Sequence, residues 1–141
     1  MALFALAACL SLIYGGLFLL SSGGSDSRPG AAADSDDVRL ISERGESVDV
    51  RQHLAAGRYT VIDFYADWCL PCREITPYLE EQARQRDDLV LRKINIVDWS
   101  TPVVRQYGLT FIPYLQMYGP DGSLMADGAE EVLKEVRRRR S

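Results

Sequence analysis

The chain has 141 residues, 47% of them hydrophobic, and carries 16 Lys and Arg against 20 Asp and Glu for a net charge of −4. That describes one domain with enough apolar material for a core, and the slightly acidic balance excludes a nucleic-acid binder that works through a basic surface. Three cysteines and a single histidine are too few for a disulfide framework, and the odd cysteine count sets Cys9 apart from Cys69 and Cys72.

Residues 2–20 contain no charged side chain, and a helix of that length spans about 28 Å, close to the hydrocarbon thickness of a bilayer. Segment 1–20 is therefore expected to be an uncleaved signal-anchor or transmembrane helix. Two other readings stay open. A cleaved signal peptide would need a small-residue site just after Leu20, whereas Ala31-Ala32-Ala33 lies too far downstream. Leu6-Ala7-Ala8-Cys9 resembles a lipobox with an acylated cysteine, although the apolar stretch before Cys9 is short, has no basic start and runs on past it. The first basic residue is Arg28, so the positive-inside rule does not orient the span. Residues 21–37, rich in Ser, Gly, Asp and Ala, read as a flexible linker with a root-mean-square reach of about 23 Å. Residues 38–141 are left as the folded domain.

Within that domain, 38–41 has strand character. Asp49 and Gln52 have the spacing of a capping box, and 50–56, closed by Gly57, reads as a short helix. His53 on it is expected to be solvated, since no other ligand types lie near it in sequence. The run Tyr-Thr-Val-Ile-Asp-Phe-Tyr over 59–65 is β-branched and aromatic and predicts a buried strand. Helical spacing then predicts a helix over 69–86 with Ile75, Leu79 and Ala83 on one face, a bend at Pro77, and Tyr78, Glu80, Glu81, Arg84 and Arg86 on a solvated face. A strand over 89–96 follows, then a short helix over 102–107 introduced by Ser100 or Thr101 and ended by Gly108. Gly119-Pro120-Asp121-Gly122 joins strands 114–118 and 123–126 as an antiparallel hairpin. A helix over 130–140 closes the chain, acids first and arginines last, as its dipole prefers. The arginine run is read as solvated, with contact to anionic lipid as the other reading.

Cys69 and Cys72 sit where the strand 59–65 hands over to a helix. There the unpaired N–H groups of the first turn and the helix dipole favour a thiolate. Pro71 fits an early helical position, where its missing N–H costs nothing. Two intervening residues place Cys69 at the exposed helix tip and Cys72 one turn inside, close enough to bond. An aspartate at 63, inside an otherwise apolar run, is costly unless it is half-exposed or used.

Asp63-Phe64-Tyr65-Ala66-Asp67-Trp68-Cys69-Leu70-Pro71-Cys72-Arg73 resembles the active-site stretch of the thioredoxin-like family, and the likeness continues in order through Pro77, Lys93 and Gly108-Leu-Thr-Phe-Ile-Pro113. It covers roughly 38–137. Two departures stand out: Leu70 replaces the usual glycine between the cysteines, and the segment between Met125 and the last helix is shorter than usual. The resemblance implies a thioredoxin-like α/β fold with a mixed central β-sheet flanked by helices, here preceded by an N-terminal hydrophobic helix. It further implies Cys69 as attacking thiolate, Cys72 as resolving thiol, Asp63 as a relay for the Cys72 proton with Lys93 nearby, and Pro113 as a cis-proline opposite Cys69.

The function expected on this basis is a membrane-tethered thiol:disulfide oxidoreductase that reduces disulfides of extracytoplasmic proteins. No cofactor and no metal are expected. Its partners would be disulfide-containing protein substrates and a membrane thiol-transfer protein as electron donor, the domain acting as a monomer on the extracytoplasmic face of the membrane. Net oxidation or isomerisation is an alternative, disfavoured because Leu70-Pro71 supplies no cation to hold a thiolate. A metal-binding or delivery module using the same two thiols is an alternative of another class, for which neither Cys9 nor His53 makes a convincing further ligand.

Overall fold

A computed structural model of the chain describes residues 36–140. The anchor expected over 1–20, nearly all of the 21–37 linker and Cys9 lie outside the described residues. Among the described residues no helix is long and apolar enough to cross a membrane.

Five strands, β1 (Val38–Ser42), β2 (Tyr59–Tyr65), β3 (Leu89–Asn95), β4 (Tyr114–Tyr118) and β5 (Leu124–Asp127), form one sheet in the order β1-β3-β2-β4-β5. The β1–β3 and β3–β2 pairs are parallel, and β2–β4 and β4–β5 are antiparallel. Three helices accompany it: α1 (Cys72–Gln85), α2 (Pro102–Tyr107) and α3 (Ala129–Arg138). Strand β2 holds the centre because its five inner residues are all buried, as a strand covered on both faces requires. Val61 packs with Leu79 and Ala83 of α1 and Val132 and Val136 of α3, whereas Ile62 and Phe64 pack with Val103 and Val104 of α2. Period-two alternation places Asp63 on the Val61 face, beneath α1.

The predicted strands and the α2 helix stand within a residue or so of their expected bounds, with Thr101 before α2 and Gly108 closing it at φ 60°. Other expectations are corrected. The helix expected over 50–56 is a single 3₁₀ turn, Val50–His53. Asp49 Oδ1 accepts the Arg51 N–H at 3.0 Å, but the Gln52 side chain turns to Asp49 Oδ2 and so does not complete a capping box. Leu54 is then extended, and the Ala55 N–H is taken by Thr60 Oγ1 at 3.0 Å. His53 is half-buried rather than solvated.

Helix α1 begins at Cys72, not Cys69, because a turn precedes it in which the Cys69 N–H donates to the Ala66 carbonyl at 3.1 Å. Its outer face is less solvated than expected. Tyr78 packs against the α1–α3 core, Glu80 is half-buried in an ion pair, and Arg86 is half-buried between Asp88 and the Val136 carbonyl. Nor is the terminal arginine run wholly free. Arg138 and Arg139 both pair with Glu135, and the Arg139 guanidinium lies 4.5 Å from the centre of the Tyr59 ring.

Candidate active site

The β2–α1 junction and the loops after β3 and α2 meet at Cys69 and Cys72. The two cysteines form a disulfide with their Cα atoms 5.3 Å apart. The Cys72 N–H, the first of α1, donates to Cys69 Sγ at 3.3 Å. This hydrogen bond aims a helix-terminal donor at one sulfur of the pair, where it stabilises negative charge on Cys69 once the disulfide is open. Cys69 is not the exposed tip expected: it is 4% exposed and Cys72 2%. Cys69 closes a turn on Ala66 and belongs to the same packed cluster as Phe64, Cys72 and Ile112, which leaves only a small edge of the disulfide open.

Trp68 and Leu70, on either side of Cys69, are 49% and 70% exposed. The Trp68 ring packs at 5.8 Å on that of Trp99, and its indole N–H donates to the Val97 carbonyl at 2.6 Å. Val97 adopts φ 62°, an uncommon conformation for a β-branched residue. Its N–H is held by Asn95 Oδ1 at 2.9 Å, and Asn95 Nδ2 reaches Asp67 Oδ2 at 3.4 Å. The loops following β2 and β3 are thereby tied together beside the disulfide. The Ile112–Pro113 peptide is cis, and Ile112 packs on the cluster that contains both cysteines.

Asp63 is completely buried. Its Oδ2 accepts the Thr76 hydroxyl at 2.6 Å, and Oδ1 meets no hydrogen-bond donor among the described residues. Burial pushes its carboxyl up to about 6, against the opposing pull of the Thr76 bond and the Lys93 charge. Lys93 is the register neighbour of Asp63 on β3, but its ammonium bonds to Glu80 Oε1 at 2.7 Å and lies 5.0 Å from the centre of the Tyr65 ring. Glu80 also receives Arg84 at 3.0 Å. Burial opposes Glu80 ionisation, but Lys93 and Arg84 outweigh it and hold this carboxyl below its ordinary range. A cleft of about 370 Å³ runs along this side, bounded by Tyr65, Asp67, Cys72, Thr76, Glu80 and Lys93 among others.

The structure therefore brings Cys69, Cys72 and Asp63 to one junction, with Lys93 one strand away, and packs the residue before Pro113 against the same cluster. Sequence reasoning missed Thr76, Glu80 and Trp99. The signal for the first two lay in α1 itself, where polar residues stand four and eight places after Cys72 on the helical stripe that faces β2 and β3. Among the described residues no three His, Cys, Asp or Glu side chains are grouped to hold a metal ion.

The thioredoxin family model matches residues 46–136, from before the 3₁₀ turn to within α3. The chain belongs to the thioredoxin family. A thioredoxin-like protein of Fusarium culmorum is 34% identical over 61% of this chain and 72% of its own length. Thioredoxin of Chlamydia pneumoniae is 38% identical over 63% of this chain and 80% of its own, and that of Chlamydia caviae 40% identical over 41% and 56%. Among solved structures, spinach chloroplast thioredoxin f superposes with a TM-score of 0.53 at 18% identity, covering 75% of this chain and 88% of that one. That likeness bears on the fold. Together, the family and the Cys69–Cys72 disulfide make this thioredoxin-family protein a thiol:disulfide oxidoreductase.

Because the Asp63 carboxyl rises from 3.8 to about 6 on folding, it favours the folded state most below pH 4, and that contribution is lost as pH rises through 6. The loss is about 3 kcal/mol by pH 8. Asp63→Asn is therefore expected to raise the unfolding temperature of the oxidised protein clearly at pH 8 and hardly at pH 4. Equal shifts at the two pH values would contradict a carboxyl titrating in the core.

Proposed function

We propose that this thioredoxin-family protein is a membrane-tethered reductase of disulfides in extracytoplasmic proteins. The observation that supports the chemistry is the donation from the Cys72 N–H to Cys69 Sγ, a contact suited to a thiolate at Cys69. In the reduced protein the Cys69 thiolate attacks one sulfur of a substrate disulfide. That S–S bond breaks, one substrate thiolate leaves, and the other sulfur is held on Cys69 as a mixed disulfide. Cys72 then gives its proton to Asp63 and attacks Cys69 Sγ. The Cys69–substrate bond breaks, the Cys69–Cys72 disulfide of this structure forms, and the substrate has gained the two electrons.

An extended substrate segment is proposed to pair with the backbone next to Pro113, opposite Cys69, in the manner of strand addition. Support for a protein substrate comes from the rim. Trp68, Leu70, Val97, Trp99 and Phe111 are large hydrophobic residues left exposed, and three of them immediately adjoin Cys69 or Ile112. In reduced protein at mildly acidic pH, alkylation is expected to label Cys69 well before Cys72, and Cys72→Ser is expected to accumulate mixed disulfides that Cys69→Ser does not. Faster labelling of Cys72 would reverse the two roles.

Tethering rests on the uncharged run 2–20 and the linker-like composition that follows it. Nothing in the sequence resembles a dinucleotide-binding fingerprint, so the electrons are proposed to come from the thiols of a membrane thiol-transfer protein. A tether of this length raises the effective concentration of the two sites toward the millimolar range, about what a short flexible linker provides. Replacing 1–20 with a cleavable secretion signal is expected to leave disulfide reduction by the purified protein unchanged while shifting the Cys69/Cys72 pair toward the disulfide in cells. A released domain that stays as reduced as the tethered one would remove the case for tethering.

A further inference from the structure

We propose that Thr76 is a positioning residue for the resolving step: its hydroxyl holds Oδ2 of Asp63 and so presents Oδ1 as the oxygen that takes the Cys72 proton. The inference rests on the reading of Asp63 as proton relay and adds to it the group that makes the relay work.

Three observations carry it. Thr76 follows Cys72 by four residues in α1, so the two side chains lie one above the other on the helix face turned to β2. Both are buried, and both border the same cleft. Thr76 Oγ1 donates to Asp63 Oδ2 at 2.6 Å, the usual length of a charge-assisted hydroxyl–carboxylate bond, while Oδ1 meets no donor among the described residues. Every other ionisable group facing Asp63 is engaged elsewhere. Lys93 of β3 bonds to Glu80, Glu80 of α1 is shared between Lys93 and Arg84, and the Tyr65 ring lies under the Lys93 ammonium. On the opposite side the register neighbour on β4 is Leu115, which has nothing to donate.

A carboxyl buried without any donor stays protonated at neutral pH and cannot accept a proton. The Thr76 bond counters this in two ways. It favours the ionised form that must be present before Cys72 can lose its proton, and it removes the rotational freedom that would let either oxygen face the thiol. The step itself is a proton transfer followed by displacement. Cys72 S–H gives its proton to Oδ1, the new thiolate attacks Cys69 Sγ in the mixed disulfide, and the substrate thiolate leaves with the electron pair of the broken bond.

The test is stopped-flow reaction of the reduced full chain, with Cys9→Ser in every variant so that Cys69 and Cys72 are the only thiols, with an aromatic disulfide, 5,5′-dithiobis(2-nitrobenzoate), across pH 5 to 9. Attack by Cys69 releases the first coloured thiolate and resolution by Cys72 the second, so the two steps are read separately. Thr76→Ala is expected to leave the first step within about twofold and to move the second step's rise with pH upward by about one unit, which slows that step about tenfold at pH 5 and about twofold at pH 7, since one unit is a tenfold change in proton affinity. Thr76→Ser restores the wild-type profile. Thr76→Val keeps the volume and removes the hydroxyl, and it gives the Ala result if the Ala variant does not fold. A second step unchanged in Thr76→Val overturns the inference when Asp63→Asn slows that step, because the relay then works without Thr76. A Ser variant as slow as Val overturns it too, since the methyl group would then be what matters. If Asp63→Asn leaves the second step at the wild-type rate, the relay reading falls and this inference falls with it.

Discussion

One constraint organises this domain: a carboxyl is held out of water in the central strand, directly beneath the helix that begins with Cys72. Burying Asp63 costs free energy that the surrounding apolar packing has to offset. Strand β2 can carry it because Val61, Ile62 and Phe64 beside it are fully packed on both faces of the sheet, each contributing roughly 1.5–3 kcal/mol of burial. Among the described residues the hydrogen bond to its carboxyl comes from Thr76 of α1, the helix that also places Cys72. Strand, helix and disulfide are thus coupled through a single polar contact in an apolar layer.

The charges nearby are arranged so that they do not simply cancel the buried one. Lys93 stands next to Asp63 in register, yet bonds to Glu80 across the mouth of the cleft. The Asp63 carboxyl consequently keeps a proton affinity near neutrality and is not drawn down into a structural ion pair. A proton acceptor for a thiol needs this kind of tuning, since a carboxyl left near 4 is a weak base and one far above 7 is already protonated. Near the surface the pattern is different. Around Cys69 the ordering comes from an indole hydrogen bond, a left-handed valine and an asparagine bridge, which tie the loops after β2 and β3 beside an apolar rim.

Much of this was legible in the sequence where the signal is local. The β2 run, the turn residues of the β4–β5 hairpin, the Gly108 stop of α2 and the Cys-x-x-Cys at a strand–helix junction all act over a few residues. What stayed hidden depends on partners remote in the chain. Glu80 reads as a solvated residue until Lys93, thirteen positions on, folds against it, and Arg139 until Tyr59, eighty positions back, comes under it. The Val50–His53 turn failed as a helix because Thr60 claims the N–H of Ala55. Cys69 was expected at an exposed tip because helical spacing does not show the Ala66–Cys69 turn that tucks the residue inward.

The account turns on the state of one carboxyl, and that state is directly observable. Carbon-13 labelling of the aspartate side chains and an NMR titration of the oxidised protein from pH 3 to 9 would follow Asp63 alone once its signal is assigned by Asp63→Asn. A midpoint at about 6 is what a buried carboxyl bonded to Thr76, with Lys93 pulling on it only through space, should give. A midpoint at or below about 4, the range of an exposed aspartate, would mean that water or Lys93 reaches it and that the central constraint described here does not exist.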